Sequence, residues 1–291
     1  MCIRDRPIPA PFELAARQFD LVIRRLADDL TYGSDPSRFI GPGVEYAQTR
    51  PYLLGDSVRS IDWKVTARTG KYHVKDYEAP KRVPLYIIVD TSSSMAISST
   101  SLSKQAAASW IAGALSLVAF RRRNPVALLA GGERDVVPPP TLSRDRLYRT
   151  LDAIRAAPVE VENTSIAVRL VHVEALADRT SLVIVISDLH DPAAIPAITR
   201  VGQRHDCLVL HTIDPSERGG LGAGFIRAAE AETGESFHAS GSSRFIGDPA
   251  ERVFNDLAEA GVDHAAIYTD EPLVPPIRRA LSVRGGGRLA R

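Results

Sequence analysis

Apolar residues along this chain change their spacing twice, and each change marks a boundary. Between residues 12 and 30, FELAARQFDLVIRRLADDL places Phe12, Ala15, Phe19, Val22, Ile23 and Leu26 near a 3.6-residue period. That spacing predicts an amphipathic helix packed on a neighbour. Asp28 and Asp29 are an awkward choice for its last turn, where the helix dipole favours cations. Gly33, Pro36, Gly41, Pro42 and Gly43 then interrupt any regular structure. From Tyr46 to Glu78 neither period holds, and aromatic and charged residues crowd together. Short strands are expected around Lys71–Tyr77, with a turn at Thr69–Gly70. Asp62–Trp63–Lys64, with Arg50, Arg59 and Arg68, reads as a polar network beside aromatic anchors.

At Val83 the pattern changes again. VPLYIIVD is almost continuously apolar, as a strand covered on both faces must be. A helix rich in alanine and leucine is predicted from Lys104 to about Arg122, ended by Asn124–Pro125. VALLAGG (126–132) is the next strand, and RDVVPP a candidate edge strand because its prolines suit a border. Helices at about 143–156 and 165–178 lead to SLVIVISDL (181–189), a second buried strand. Asp191–Pro192 reads as an N-cap followed by a first-turn proline. CLVLHTI (207–213), a hairpin around ETGE within 217–245, a helix at 247–259, the strand AAIYTD (265–270) and a short helix at PPIRRAL complete the series. Strands alternating with helices predict an α/β fold with a mostly parallel sheet covered on both faces. The expected organisation is an N-terminal α+β segment over 1–80, the main domain over 81–281 and a loose tail over 282–291.

Composition adds limits. The 291 residues carry 36 Lys and Arg against 35 Asp and Glu, so the whole molecule has no strong electrostatic bias toward nucleic acid or anionic lipid. Cys2 and Cys207 are the only cysteines, which supports neither a zinc knuckle nor a disulfide scaffold and fits reduced thiols in a cytoplasmic setting. Arg4, Asp5 and Arg6 are followed by prolines rather than a secretory apolar core, and MCIRDR does not read as the start of a folded element. The longest apolar run, Trp110 to Phe120, falls short of the roughly 17–25 residues that span a bilayer. No membrane insertion is expected.

The chemistry gathers at strand ends, where open α/β sheets bind ligands. IIVD ends in Asp90 and VIVISD in Asp188. Ser92 and Ser94 follow Asp90 at alternate positions, so a loop curling over the strand end can turn both hydroxyls to one point. Thr164 in ENTSI stands just before a predicted helix. Taken singly, Asp90 is equally a loop cap, the serines turn hydroxyls and Thr164 a helix N-cap. Taken together, two carboxylates and three hydroxyls are hard oxygen donors suited to Mg²⁺ or Mn²⁺ and unsuited to zinc. No GxxxxGK[ST], GxGxxG or GxSxG motif is present. A phosphatase with Asp90 as nucleophile would ordinarily want an acid at the position of Ser92. His190 and His205 lie near strand ends without a clear catalytic role.

With this set assembled, DTSSS, Thr164 and Asp188 resemble the five-part metal-ion-dependent adhesion site of von Willebrand factor A-type domains. Upstream, GPGVEYAQTRPYLLGDSVRSIDWKVTARTGKYHVKDYE resembles the signature of the bacterial DUF58 family. Glu45, Arg50, Tyr52, Gly55–Asp56, Arg59, Ile61–Asp62–Trp63, Ala67–Arg68, Lys75 and Tyr77–Glu78 carry that likeness. The resemblance implies a Rossmann-like A-type domain preceded by a smaller α+β segment, with metal held by Asp90, Ser92, Ser94, Thr164 and Asp188. It also implies a non-enzymatic assembly factor acting with a MoxR-type AAA+ ATPase and a client protein that offers an acidic residue. Many such proteins carry transmembrane helices, and this chain resembles the shorter, soluble branch. Two other readings stand beside it, a metal-dependent phosphatase or hydrolase and a nucleic-acid binder using the basic 38–82 segment. That segment holds nine Lys and Arg against five Asp and Glu, a local charge of +4. Internal pairing of its arginines with Glu45, Asp56, Asp62 and Glu78 is the preferred reading over a docking face, with Trp63 as a core or interdomain anchor.

Overall fold

Runs of β-branched and leucine residues with no polar face have one stable place, the middle of a sheet packed on both sides. A computed structural model of the protein describes residues 16–31, 45–78, 82–96, 98–130, 138–156, 166–218, 225–229, 236–240 and 249–284. Five of its strands form a parallel sheet: β3 (Leu85–Val89), β4 (Val126–Ala130), β5 (Leu182–Ser187), β6 (Asp206–Ile213) and β9 (Asp263–Tyr268). Their spatial order is β4-β3-β5-β6-β9. All neighbours are parallel, so all five carboxyl ends lie along one edge.

Alternate residues of each central strand serve two separate cores. Leu85, Ile87 and Val89 join one with α1 (Ala16–Thr31), α3 (Lys104–Arg121), α4 (Arg144–Ala156) and α8 (Val274–Arg284). Tyr86 and Ile88 join the other with α5 (Ile166–Leu176), α6 (Ala194–Gly202) and α7 (Pro249–Glu259). Helix α3 is buried along nearly its whole length, because the sheet covers one side and α1 another. Gly113 permits that approach, since a Cβ there would lie 2.5 Å from Ile23 Cδ1. The acidic end of α1 is explained by its neighbour, for Asp28 pairs with Arg121 of α3 at 2.5 Å.

Several local expectations are corrected. Asp62–Trp63–Lys64 opens a helix, α2 (Trp63–Thr69), with Asp62 as the N-cap accepting from the Lys64 and Val65 amides. Gly70, at φ 69°, ends it in the left-handed conformation. The strand expected near Lys71–Tyr77 is β2 (His73–Glu78), but its antiparallel partner is β1 (Glu45–Pro51), well upstream. Of the anticipated acid–arginine pairs in this segment, that of Asp56 is seen, while the side chains of Glu45 and Glu78 lie outside the described residues. Arg50 grips Asp56 with two hydrogen bonds of 2.7 and 2.8 Å. Asp62 serves the helix instead, and Trp63 is 63% exposed rather than an anchor. Asp191 forms a turn ahead of α6 but does not cap it, because the N-cap position falls to Ala193. The hairpin near ETGE is present as β7 (Phe225–Ala229) and β8 (Ser236–Ser240), paired antiparallel. RDVVPP falls largely outside the described residues, as does the tail beyond residue 284.

Candidate functional site

Strand pairing builds the site. Val89 of β3 lies opposite Ile186 of β5, and the Asp90 amide continues the ladder by donating to the Ile186 carbonyl at 2.9 Å. Asp90 therefore stands beside Ser187, whose hydroxyl donates to its Oδ2 at 2.5 Å. The other carboxylate oxygen accepts the Ser92 amide at 2.9 Å, which curls the chain over the strand end. A 3₁₀ turn (Ser93–Ala96) follows, bringing the Ser92 and Ser94 hydroxyls within 2.9 Å of each other. On β5 the chain turns sharply after Asp188. Leu189 has φ 56°, a conformation a branched residue rarely adopts, and its amide is tied to the Ser187 hydroxyl at 2.8 Å.

Both carboxylates are buried, and their environments push them apart. Burial raises the Asp90 pKa, as does the neighbouring Asp188 charge, while bonds from Ser187 and Ser92 restrain the rise to about 6. Burial acts on Asp188 in the same direction, but Lys104 outweighs it, helped by His190 and the Ser94 hydroxyl, so Asp188 is held below the usual carboxylate range. Lys104 Nζ lies 2.7 Å from Asp188 Oδ2 and also binds Glu217, and its side chain is only 1% exposed. The ammonium is a compact buried charge that needs both partners. Asp188 Oδ1 has no hydrogen-bond partner although it is buried.

The surroundings lock this geometry. His211 of β6 contacts the Asp188 carbonyl through Nε2 at 3.2 Å, and burial pushes its pKa down to about 4, so the ring is neutral. His190 Nδ1 is 3.6 Å from Asp188 Oδ2, too far for a hydrogen bond. A third strand-end acid, Asp214, follows β6. It accepts the amides of Ser99 and Ser216 at 2.8 and 2.9 Å and both hydroxyls as well, which fastens the loop after the 3₁₀ turn to residues 215–218. A saturated carboxylate of this kind is structural.

Of the residues singled out in the sequence, Asp90, Ser92, Ser94 and Asp188 stand together, while Thr164 lies outside the described residues. Lys104, Ser187, Asp214 and Glu217 escaped that reading. Lys104 did carry a signal: it directly follows the N-cap Ser103, where a cation opposes the helix dipole, in a helix with few other polar residues. Among the described residues no group of three or more His, Cys, Asp or Glu is arranged to hold a metal ion. A cation at the strand ends would rely on hydroxyls beside two acids. The donors fit one: all are oxygens, and Asp188 Oδ1 is a buried acceptor still to be satisfied.

Fold and site define an α/β protein with a parallel sheet and an oxygen-lined pair of acids at its carboxyl edge. Residues 48–248 match the family described as "Protein of unknown function DUF58", and the chain belongs to that family. It is 28% identical over 257 residues to the uncharacterized protein Mb1516 of Mycobacterium bovis and to the uncharacterized protein Rv1480 of Mycobacterium tuberculosis. These alignments cover 87% of this chain and 78% of each relative. Among solved structures, the crystal structure of the Deinococcus radiodurans RO (RSR) protein aligns with a TM-score of 0.31 and 18% identity. That alignment covers 94% of this chain and 49% of the other, so the chain spans about half of that protein's length.

Proposed function

We propose that this protein is a non-enzymatic, metal-dependent interaction and assembly factor with a von Willebrand factor A-type domain, working in the cytoplasm with a MoxR-type AAA+ ATPase. The observation that carries this reading is the buried, unsatisfied Asp188 Oδ1 beside Asp90, Ser92 and Ser94. Asp90, Ser92, Ser94 and Asp188 would hold Mg²⁺ or Mn²⁺, and Thr164 is the fifth residue that the family resemblance adds. A bound ion would supply a Lewis-acidic position for a carboxylate from a client protein or the ATPase. The chain's own residues do the rest. Lys104 fixes Asp188 by its other oxygen and offsets one of the two site charges, so the ion is held weakly enough to exchange partners. Ser187 orients Asp90, and the neutral His211 supports the backbone at Asp188.

The test is a Mn²⁺ titration followed by the electron paramagnetic resonance signal of the free ion. Wild type should show one saturable site displaced by Mg²⁺, and Asp90→Ala should lose it with an unchanged far-ultraviolet circular dichroism spectrum. Equal binding by the two proteins, or none by either, overturns the metal reading. The interaction reading is tested by pull-down in Mg²⁺ and in chelator, and equal recovery of partners in both defeats it.

A further inference from the structure

The connection between β1 and β2 exposes what a folded chain ordinarily covers. Leu53, Leu54, Val58, Trp63 and Tyr72 all lie between Pro51 and His73, and each is more than half exposed, with Leu54 at 103%. These residues belong to one end of the two-stranded sheet. The Tyr52 amide donates to the Tyr72 carbonyl at 2.9 Å, the Asp62 amide to the His73 carbonyl at 2.8 Å, and the Tyr52 and Tyr72 rings meet edge to face. The turn is held firmly. Asp56 accepts the Leu53 amide at 2.8 Å while Arg50 clamps both its oxygens. A braced turn therefore presents two leucines to water, at a hydrophobic cost that the fold does not require.

Charge accompanies the apolar tip. Arg59, Lys64, Arg68 and Lys71 are exposed in the same connection, and none forms an ion pair with a described residue. The two acids of the connection are already engaged, Asp56 by Arg50 and Asp62 by the amides of α2. The near-neutral charge of the whole chain thus conceals a local surplus of cations.

We propose that this end of the β1–β2 unit is a peripheral docking surface for an anionic lipid bilayer. Its three components match the three layers of a membrane interface. Lys and Arg meet acidic headgroups, the amphipathic rings of Trp63 and Tyr72 suit the headgroup level, and the leucines reach the acyl boundary. The complete exposure of Leu54 marks a projecting tip. A soft interface accepts such a tip anywhere, whereas a protein partner must supply a matching pocket. No described helix is long and apolar enough to cross a membrane. The docking surface is independent of the strand-end site.

The test uses the full chain with vesicles of phosphatidylcholine alone and of phosphatidylcholine mixed with phosphatidylglycerol. The chain has two tryptophans, and Trp110 is 2% exposed, so a change in emission reports on Trp63. The anionic vesicles should shift emission to shorter wavelength and carry the protein through flotation, with phosphatidylcholine alone doing neither. Trp63→Phe should remove the shift but leave most flotation. Lys64→Gln or Lys71→Gln should each weaken partitioning about fivefold, and added salt should weaken it further. Leu54→Glu, at a fully exposed position, should abolish it without unfolding. No binding to anionic vesicles, equal binding to neutral ones, or an unaffected Leu54→Glu protein overturns the proposal. So does indifference to vesicles with a salt-sensitive emission shift on single-stranded DNA, which would make the surface a nucleic-acid site.

Discussion

Lys104 and Asp90 contribute to the same cluster with opposite signs. Removing the ammonium in Lys104→Met leaves Asp188 buried without its cation, and breaking a buried pair in this way costs about 3–5 kcal/mol. Thermal unfolding in chelator should show that loss, and excess Mg²⁺ should recover part of it by supplying the missing charge. Asp90→Asn does the reverse. It removes a buried negative charge beside a second one while retaining an oxygen for the Ser92 amide. The metal-free protein should gain about 1–3 kcal/mol in urea unfolding at neutral pH, yet lose Mn²⁺ binding. The candidate ligands were legible because DxSxS and a second strand-end aspartate are local patterns. Lys104 and Glu217 were not, since a lysine 84 residues from Asp188 and a glutamate 113 residues from that lysine meet only after folding.

At the scale of elements, the contact between α1 and α3 is set by Gly113. Gly113→Ala improves helix propensity but forces a methyl into Ile23, which is fully buried and cannot move aside cheaply. The variant should lose about 1–3 kcal/mol, and Ile23→Val in the same chain should recover part of it in a double-mutant cycle. The end of α6 supplies a pH dependence. His205 is buried with neither ring nitrogen hydrogen-bonded, and burial, then Arg204, lowers its pKa. With the folded value below 6.5, protons bind the unfolded chain more readily just below that pH. Its contribution is therefore present above about pH 6.5 and is lost as pH falls through the folded value. Urea midpoints should decline over that range, and His205→Leu should flatten the decline. The sequence pattern showed that both helices are amphipathic or buried, but not which helix each one meets. Period records a face, whereas a neighbour is chosen by shape.

For the whole molecule, two cores flank one parallel sheet, and α1 closes the outer side of α3. A chain beginning after Thr31 would uncover an apolar helix. It should bind a hydrophobic dye and aggregate where the full chain remains dispersed, which light scattering would measure. The sequence alone determined the α/β class, the buried strands and the carboxylates at their ends, because each depends on spacing within a few residues. Parallel strands then had to end along one edge. Only the tertiary structure decided that β3 and β5 are neighbours, which brings Asp90 and Asp188 together, and that Lys104 lies against Asp188. It likewise decided that Trp63, Arg59 and Arg68 face outward, while Arg50 keeps the internal pair with Asp56 that the sequence suggested. Burial and charge pairing are set by contacts across many tens of residues, and no local period records them.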